Sequence, residues 1–168
     1  MLLAAPSDPD LPVLRLAGPE DFAALLEVYR QNADFLALAG LTADEALLRE
    51  DLAHFAALGA ETWVIEKDAQ TAGLAAWIPA GYEGRPEQAY LELMMIGRPW
   101  RSQGLGSQVM LALQARLREN GCRVLFAHVQ VNNPRGQAFW LRCGFRVEGE
   151  AQAQPDGTVT VRLRLDLD

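Results

Sequence analysis

The segment from residue 91 to 120, LELMMIGRPWRSQGLGSQVMLALQARLREN, places the strongest constraint on how this chain can fold. Residues 91–96 are apolar except for Glu92, a pattern that favours a buried strand. The stretch after them has apolar residues at the four-residue spacing of a helix: Leu105, Val109, Leu113 and Leu117. Gly104 and Gly106 lie where that helix begins, and residues without a Cβ let the backbone approach a bulky ligand closely. Because the free N–H groups and the positive dipole end of a helix bind anions, we predict that this turn holds the pyrophosphate of a carrier molecule.

Two other glycine-rich turns are less compatible with this segment. A P-loop needs Lys-Ser or Lys-Thr after its second glycine, whereas Gly106 is followed by Ser107 and Gln108. A dinucleotide-binding turn needs a third small residue where Val109 stands, and an acidic residue after the next strand, near Gln130. Both are missing. The sequence therefore excludes a P-loop and matches a dinucleotide turn only weakly.

The turn resembles instead the R-x-x-G-x-G acyl-CoA loop of the GNAT acetyltransferases, which here runs from Arg101 to Gly106. A second segment, residues 132–145 (NNPRGQAFWLRCGF), resembles the other signature of that family: an Asn, a small residue, an aromatic pair and a closing Gly-Phe. One predicted helix and one predicted strand separate the two segments, as the family requires. Both segments lie in the C-terminal half of the chain.

The resemblance implies an α/β fold (α+β layered) of the GNAT acyl-CoA N-acyltransferase type. Its sheet is mixed and mostly antiparallel, with about seven strands, one splayed parallel pair and about four flanking helices. The residues themselves predict a parallel, right-handed β-α-β unit from strand 91–96 through helix 104–120 to strand 124–131. We expect one domain, residues 13–168, after a short disordered leader, residues 1–12.

The N-terminal half contains three further local signals. Residues 62–66 and 71–78 are β-rich runs around a polar turn and predict an antiparallel hairpin. Thr42 and Glu45 predict a capping box at the start of a helix. Residues 32–41 show no clear period and predict an irregular link, which could line an acceptor pocket.

The resemblance also implies acetyl-CoA or CoA as co-substrate. The positions that match the CoA-binding elements are Met95, Ile96, Arg101, Ser102, Gln103, Gly104, Leu105, Gly106, Ser107, Asn133, Gln137 and Trp140. In the family, pantetheine enters the splayed strand pair, where an unpaired N–H near Met95 or Ile96 would donate to the thioester oxygen. Arg101 is expected either to pair with phosphate or to be a solvated loop arginine. Asn132 is the alternative to Asn133 if the strand ends one residue early.

Acetyl transfer to an amine needs a base that removes the amine proton, and the sequence offers two candidates. Glu92 is the only charge in its strand, so its carboxylate either lies near a strand edge in water or is buried with a raised pKa that suits proton abstraction. His128, in the next strand, carries an imidazole that titrates near pH ~6.5 when unperturbed. Trp140 stands where the family usually has a tyrosine general acid, and an indole N–H supplies no proton at useful pH. Tyr82 or Tyr90 could protonate the departing thiolate instead.

Composition limits the remaining function classes. The net charge is −7, with Lys67 the single lysine, so we expect no nucleic-acid partner, and the acidic surface favours a cationic acceptor such as an amine. The apolar runs are far shorter than the roughly 20 residues of a membrane span, so we expect a cytoplasmic protein. Cys122, Cys143, His54 and His128 form no metal-ligand pattern, and we expect no metal. A homodimer is possible. The sequence predicts an acetyl-CoA-dependent N-acetyltransferase; the alternative is a catalytically weak CoA-binding sensor or interaction module.

Overall fold

The computed structural model describes residues 10–168, and these form one seven-stranded sheet with helices on both faces. The strands are β1 (Val13–Leu16), β2 (Glu61–Lys67), β3 (Gln70–Ile78), β4 (Gln88–Ile96), β5 (Val124–Gln130), β6 (Arg146–Ala153) and β7 (Val159–Asp166). The helices are α1 (Phe22–Gln31), α2 (Ala33–Ala37), α3 (Glu45–Ala57), α4 (Leu105–Glu119) and α5 (Pro134–Arg142). The strand order is β1-β2-β3-β4-β5-β7-β6, and every neighbouring pair is antiparallel except β4 and β5.

Side chains point alternately to the two faces of the sheet along each strand, and this divides the core into two layers. Trp63 and Ile65 of β2 pack in the layer that contains the apolar face of α4, with Leu105, Val109, Met110, Leu113 and Leu117. Val64, between them, packs in the other layer with apolar residues of α1, α2 and α3. Because successive strand residues point to opposite faces, both faces of the central strands are buried.

Two local predictions differ from the structure. The link 32–41 contains a fifth helix, α2, whose Leu36 is buried against α1 and α3, so tertiary packing decides a segment with no sequence period. The helix predicted to be capped by Thr42 begins later: Asp44 is the N-cap residue, and its carboxylate accepts the N–H of Leu47 at 2.9 Å. The Thr42–Glu45 capping box is therefore wrong.

Two predicted strand pairings are confirmed, and the predicted leader lies mostly outside the described residues. The hairpin of β2 and β3 and the parallel pair of β4 and β5 are confirmed. Most of the predicted leader, residues 1–9, lies outside the described residues. No helix in residues 10–168 combines the length and the apolar character that a membrane crossing needs.

Candidate active site

The parallel strands β4 and β5 separate after only three register pairs: Gln88 with Val124, Ala89 with Leu125, and Tyr90 with Phe126. Beyond Tyr90, β4 stays paired with β3 alone, and β5 continues beside β7. A cavity of about 1160 Å³ lies around this opening, with walls from both strands, α2, α3, the start of α4, and α5. The separation leaves one edge of each strand without a backbone partner.

The backbone direction of β4 decides which N–H groups face the opening. Gly97 N–H donates to Ala72 O of β3 at 2.7 Å, in the register that pairs Met95 with Leu74. Antiparallel strands alternate between hydrogen-bonded and non-bonded pairs, so Met95 also points its N–H toward β3. Ile96, one residue on, points its N–H to the opening. Of the two amides considered from the sequence, Ile96 is therefore the one that is free to donate to a ligand.

The start of α4 offers a second group of free amides. Gly104 is the N-cap residue with φ 79°, and no side chain caps the helix. Gln108 N–H is bonded to Gly104 O, which leaves the amides of the first turn, from Leu105 to Ser107, without intrahelical acceptors. Ser102 also has a positive φ, 61°, a conformation that a non-glycine residue adopts at a cost of roughly 1–3 kcal/mol. This open, left-handed turn at a helix N-terminus has the form of an anion site.

Gly106 has a packing role in addition to its place in the turn. A Cβ at this position would lie 3.0 Å from Phe139 of α5, so the glycine lets α4 and α5 approach each other beside the cavity. Asn133 is the N-cap of α5, and its Oδ1 accepts the N–H of Gly136 at 2.9 Å. Gln137 Nε2 donates to Gln130 O and Val131 O at 3.0 Å each, and this residue does not line the cavity. The side chain of Asn133 thus caps α5, and the side chain of Gln137 holds α5 against the end of β5.

Arg101, predicted either to pair with phosphate or to be solvated, is bound within the protein. Its Nη2 donates to Asn32 Oδ1 at 2.7 Å and to Gln31 O at 2.9 Å. Asp34 lies 3.4 Å from the same nitrogen. The guanidinium therefore ties the loop to the junction of α1 and α2. Gln103 also turns back, with Nε2 donating to Pro99 O at 2.9 Å, and it does not line the cavity.

Glu92 lies on the cavity wall at an irregularity of β4. Leu91 and Leu93 face the consecutive β3 residues Trp77 and Ala76, so Glu92 is the extra residue of a bulge. No hydrogen bond or ion pair reaches its carboxylate from the described part of the chain. Burial raises the pKa of Glu92 above its ordinary value. A partly buried carboxylate of raised pKa, open to a cavity, is suited to accept a proton.

Two residues of α3 that the sequence did not single out line the same cavity and change the pKa of Glu92. Asp51 accepts a hydrogen bond from the buried hydroxyl of Tyr29 at 2.7 Å, and burial raises the pKa of Asp51. The negative charge of Asp51 raises the pKa of Glu92, and the nearby His54 lowers it. Asp51 and His54 are one helical turn apart, but no sequence pattern shows that α3 faces β4 here.

His128 and Tyr90 face each other across the point where the strands separate. The Tyr90 hydroxyl lies 2.6 Å from His128 Nδ1, and both residues line the cavity. Burial lowers the pKa of His128, and the charge of Arg162 lowers it further. Tyr82 does not line the cavity: its ring stacks on Tyr90 at 4.5 Å, and burial raises its pKa.

The remaining wall is formed by α5 and has aromatic and basic side chains. Trp140 lines the cavity and packs edge-on against Phe139 and Phe145, with ring centroids 4.8 and 5.5 Å apart. Arg135 and Arg142, which were not among the residues predicted to bind CoA, also line it. Their positions near the two ends of α5, within the second motif, were the available signal, because a CoA-binding surface needs basic groups for its phosphates.

Comparisons with known proteins agree with this geometry. The model of the Acetyltransferase (GNAT) family matches residues 24–145. An acetyltransferase from Thermus thermophilus is similar in structure, with a TM-score of 0.78 and 23% identity, over 93% of this chain and 97% of that one. RimL, a ribosomal L7/L12 alpha-N-protein acetyltransferase solved with coenzyme A, gives a TM-score of 0.74 at 18% identity, over 99% and 98% of the two chains.

A curated relative adds sequence similarity over part of its length. The Danio rerio protein Probable N-acetyltransferase 14 is 30% identical over 102 residues, which are 60% of this chain. The match spans only 35% of the length of that relative. The family model covers well over half of the chain and includes both motifs around the cavity. The chain belongs to the GNAT acetyltransferase family.

Proposed function

We propose that this protein transfers the acetyl group of acetyl-CoA to a primary amine of a small-molecule acceptor, by direct attack and without a covalent enzyme intermediate. The observation that carries the proposal is the early separation of β4 and β5, which places an unpaired amide and the half-buried Glu92 around one cavity. The uncapped start of α4 lies on the same cavity. No single side chain creates this arrangement; it follows from the sheet topology.

The residues fit a CoA molecule in two places. The amides from Leu105 to Ser107 offer donors to a pyrophosphate, and the space above Gly104 is open, since a Cβ there would meet nothing within 4 Å. The free edge of β4 offers the Ile96 amide to an acyl oxygen. Such a backbone donor stabilises the charge that develops on that oxygen during attack. Acetyl-CoA supplies the activated thioester, and the chain supplies orientation and donors.

Glu92 is proposed as the base that takes the proton of the attacking amine. Its raised pKa keeps its proton affinity closer to that of the reacting group, and no hydrogen bond or ion pair from residues 10–168 occupies its carboxylate. The neighbouring carboxylate of Asp51 also favours a positively charged amine over a neutral or anionic acceptor. The departing thiolate takes a proton from solvent, because Trp140 cannot supply one.

The proposed location is the cytoplasm. Cys122 and Cys143 are both unpaired, as is usual for proteins of a reducing compartment. A homodimer is a further prediction, which sedimentation of the purified protein would test.

Release of free CoA thiol, measured with acetyl-CoA and a panel of primary amines, tests the transferase activity. Calorimetric titration with CoA, run beside it, tests binding alone. We expect turnover with at least one cationic amine and with no carboxylate-bearing analogue of the same size.

The second candidate is a CoA-binding module with little turnover. The observation that favours it is Trp140 at the place of the family's usual tyrosine. CoA binding by calorimetry without thiol release from any amine would support this module over the transferase.

A further inference from the structure

Tyr90 and His128 form a hydrogen bond that connects β4 and β5 at the last point before they separate. Tyr90 is the final register partner in β4, facing Phe126, and His128 lies two residues beyond Phe126 on the same face of β5. The distance from Oη to Nδ1 is 2.6 Å. The other ring nitrogen, Nε2, has no hydrogen-bond partner within residues 10–168, and the ring lines the cavity.

The direction of this hydrogen bond follows from counting donors and acceptors. The phenol carries one proton, and Nδ1 of His128 is the one acceptor within its reach in the described residues. If Nδ1 carried a proton, the phenol hydrogen of the half-buried Tyr90 would be left without a partner among residues 10–168, and the hydrogen bond that it donates to Nδ1 would be lost. Burial raises the pKa of Tyr90 and lowers that of His128, so the phenol keeps its proton and the ring is neutral at pH 7. A neutral ring that accepts at Nδ1 has its hydrogen on Nε2.

The surrounding charges favour the same state. Arg162 of β7 is the register partner of His128, and its positive charge disfavours a second proton on the ring. Glu83 reduces this effect, but its carboxylate is bound to Arg162 at 2.6 Å. Glu148 of β6 lies 3.6 Å from the same guanidinium. Arg162 therefore has its own acidic partners and leaves Nδ1 to Tyr90.

We propose that Tyr90 is a positioning residue that holds His128 in the tautomer with its hydrogen on Nε2, so that His128 donates a hydrogen bond to an oxygen of the reacting acyl group. His128 then neither gains nor loses a proton in the reaction, and the amine proton passes to Glu92. This inference rests on the proposed function, and it replaces the base role that the sequence suggested for His128.

Nitrogen-15 NMR of the histidine rings tests the tautomer without any need for turnover. The chain has two histidines, so His54→Gln assigns the spectrum. We expect Nδ1 of His128 to resonate as an unprotonated nitrogen and Nε2 as a protonated one. Tyr90→Phe should shift the Nδ1 signal and leave the signals of His54 in place. A protonated Nδ1 in the wild type, or an unchanged signal in Tyr90→Phe, would overturn the proposal.

Tyr82→Phe is the matched control for the loss of a hydroxyl. Its ring stacks on Tyr90 at 4.5 Å, but its hydroxyl does not contact His128. We expect this variant to leave the Nδ1 signal of His128 where it is in the wild type. A shift as large as that of Tyr90→Phe would show that ring packing, not the hydrogen bond, sets the state of His128.

Kinetics of two His128 variants separate a donor from a base. A glutamine amide can place an N–H near the position of Nε2 but has no basicity, so His128→Gln should retain kcat within about 10-fold, whereas His128→Ala should lose about 100-fold. Equal losses in both variants would overturn the donor role. In the His128→Gln background, Tyr90→Phe should cause no further loss of kcat, because Tyr90 acts through Nδ1.

CoA release tests the transferase activity, and the nitrogen-15 spectrum tests the tautomer of His128 separately. If the wild type releases no CoA with any amine, the transferase proposal fails, and the NMR spectra still decide whether Tyr90 sets the tautomer. If the wild type turns over but Nδ1 is protonated, the transferase proposal stands and this inference fails.

Discussion

Arg101 donates a hydrogen bond from Nη2 to Oδ1 of Asn32 at 2.7 Å, and so joins the loop before α4 to the end of α1. Asn32 is buried and itself donates from Nδ2 to Ile96 O at 3.1 Å. The loop, the last residue of β4 and the α1–α2 junction are thus held by one small network. This network fixes where the free amides of Ile96 and of the α4 start lie relative to each other.

We expect Arg101→Ala to reduce the free energy of unfolding by about 1–3 kcal/mol, because it removes charge-assisted hydrogen bonds from a partly buried site. Arg101→Lys should be nearly as destabilising, since an ammonium group cannot reproduce the planar fork. Urea unfolding measures both, and the exposed Arg98→Ala serves as the control with a change within about 0.5 kcal/mol. Full stability of Arg101→Lys, combined with lost CoA affinity in Arg101→Ala alone, would instead indicate a phosphate contact.

Gly104→Val should weaken CoA binding at least 10-fold while the domain stays folded. A β-branched residue at φ 79° strains the turn by about 1–2 kcal/mol and turns the amides away from a pyrophosphate, but its Cβ meets no neighbour within 4 Å. Gly121, after the other end of α4, has φ 84° and equally open surroundings. Gly121→Val should therefore be destabilised to a similar degree and bind CoA normally in calorimetry. Equal CoA affinities in the two variants would show that the amides at the α4 start do not bind the nucleotide.

Gly106 is a poorer site for this experiment than the sequence suggests. A Cβ there would lie 3.0 Å from Phe139, so a bulky residue would displace α5 as well as fill the turn. Lost binding in such a variant would not separate the two effects.

Glu92→Gln should lower kcat about 100-fold with little change in CoA affinity, as expected when a general base is removed. The acid limb of the kcat/KM profile, which reports the pKa of Glu92 in the free enzyme, should disappear. Glu50→Gln on the exposed side of α3 is the control. A pH profile that is the same in Glu92→Gln and wild type would remove Glu92 from the mechanism.

The same substitution should increase stability at neutral pH. Burial raises the pKa of Glu92 in the folded state, so the folded protein binds more protons than the unfolded one between the two pKa values. Stability therefore falls as pH rises through this interval, and the neutral amide of Glu92→Gln avoids the loss. We expect Glu92→Gln to be more stable than the wild type at pH 7 and no more stable at a pH below the unfolded-state pKa of a glutamate, which is about 4.3. Urea unfolding at both pH values measures the difference.

Asp51→Asn should move the acid limb of the kcat/KM profile to lower pH. The charge of Asp51 raises the pKa of Glu92, and the substitution removes that charge while Tyr29 keeps an acceptor. His54→Gln should move the limb in the opposite direction, because His54 lowers the pKa of Glu92. Shifts of the same sign in both variants, or none, would mean that the limb belongs to another group.

Several parts of the site could be predicted because they depend on local spacing. The glycine turn and the start of α4 are set by residues within one or two turns of each other, and the structure has them near the predicted positions. The position of Glu92 could also be predicted from the sequence, because it is the one charged residue in the apolar run 91–96 that predicts a strand. The bulge that leaves Glu92 without a β3 partner was not visible, because it depends on the register between two strands.

The sequence by itself determined the hairpin of β2 and β3, the unit of β4, α4 and β5, and the family, and it predicted a CoA loop at residues 101–106, because periodicity and short motifs act between residues close in the chain. Only the tertiary structure decided that Arg101 donates a hydrogen bond to Asn32, that the charge of Asp51 raises the pKa of Glu92, and that Tyr90 forms a hydrogen bond with His128. These pairs are separated by 69, 41 and 38 positions, and nothing in the local pattern of either partner specifies the other. Their proximity follows from strand register and helix packing, which are properties of the whole core.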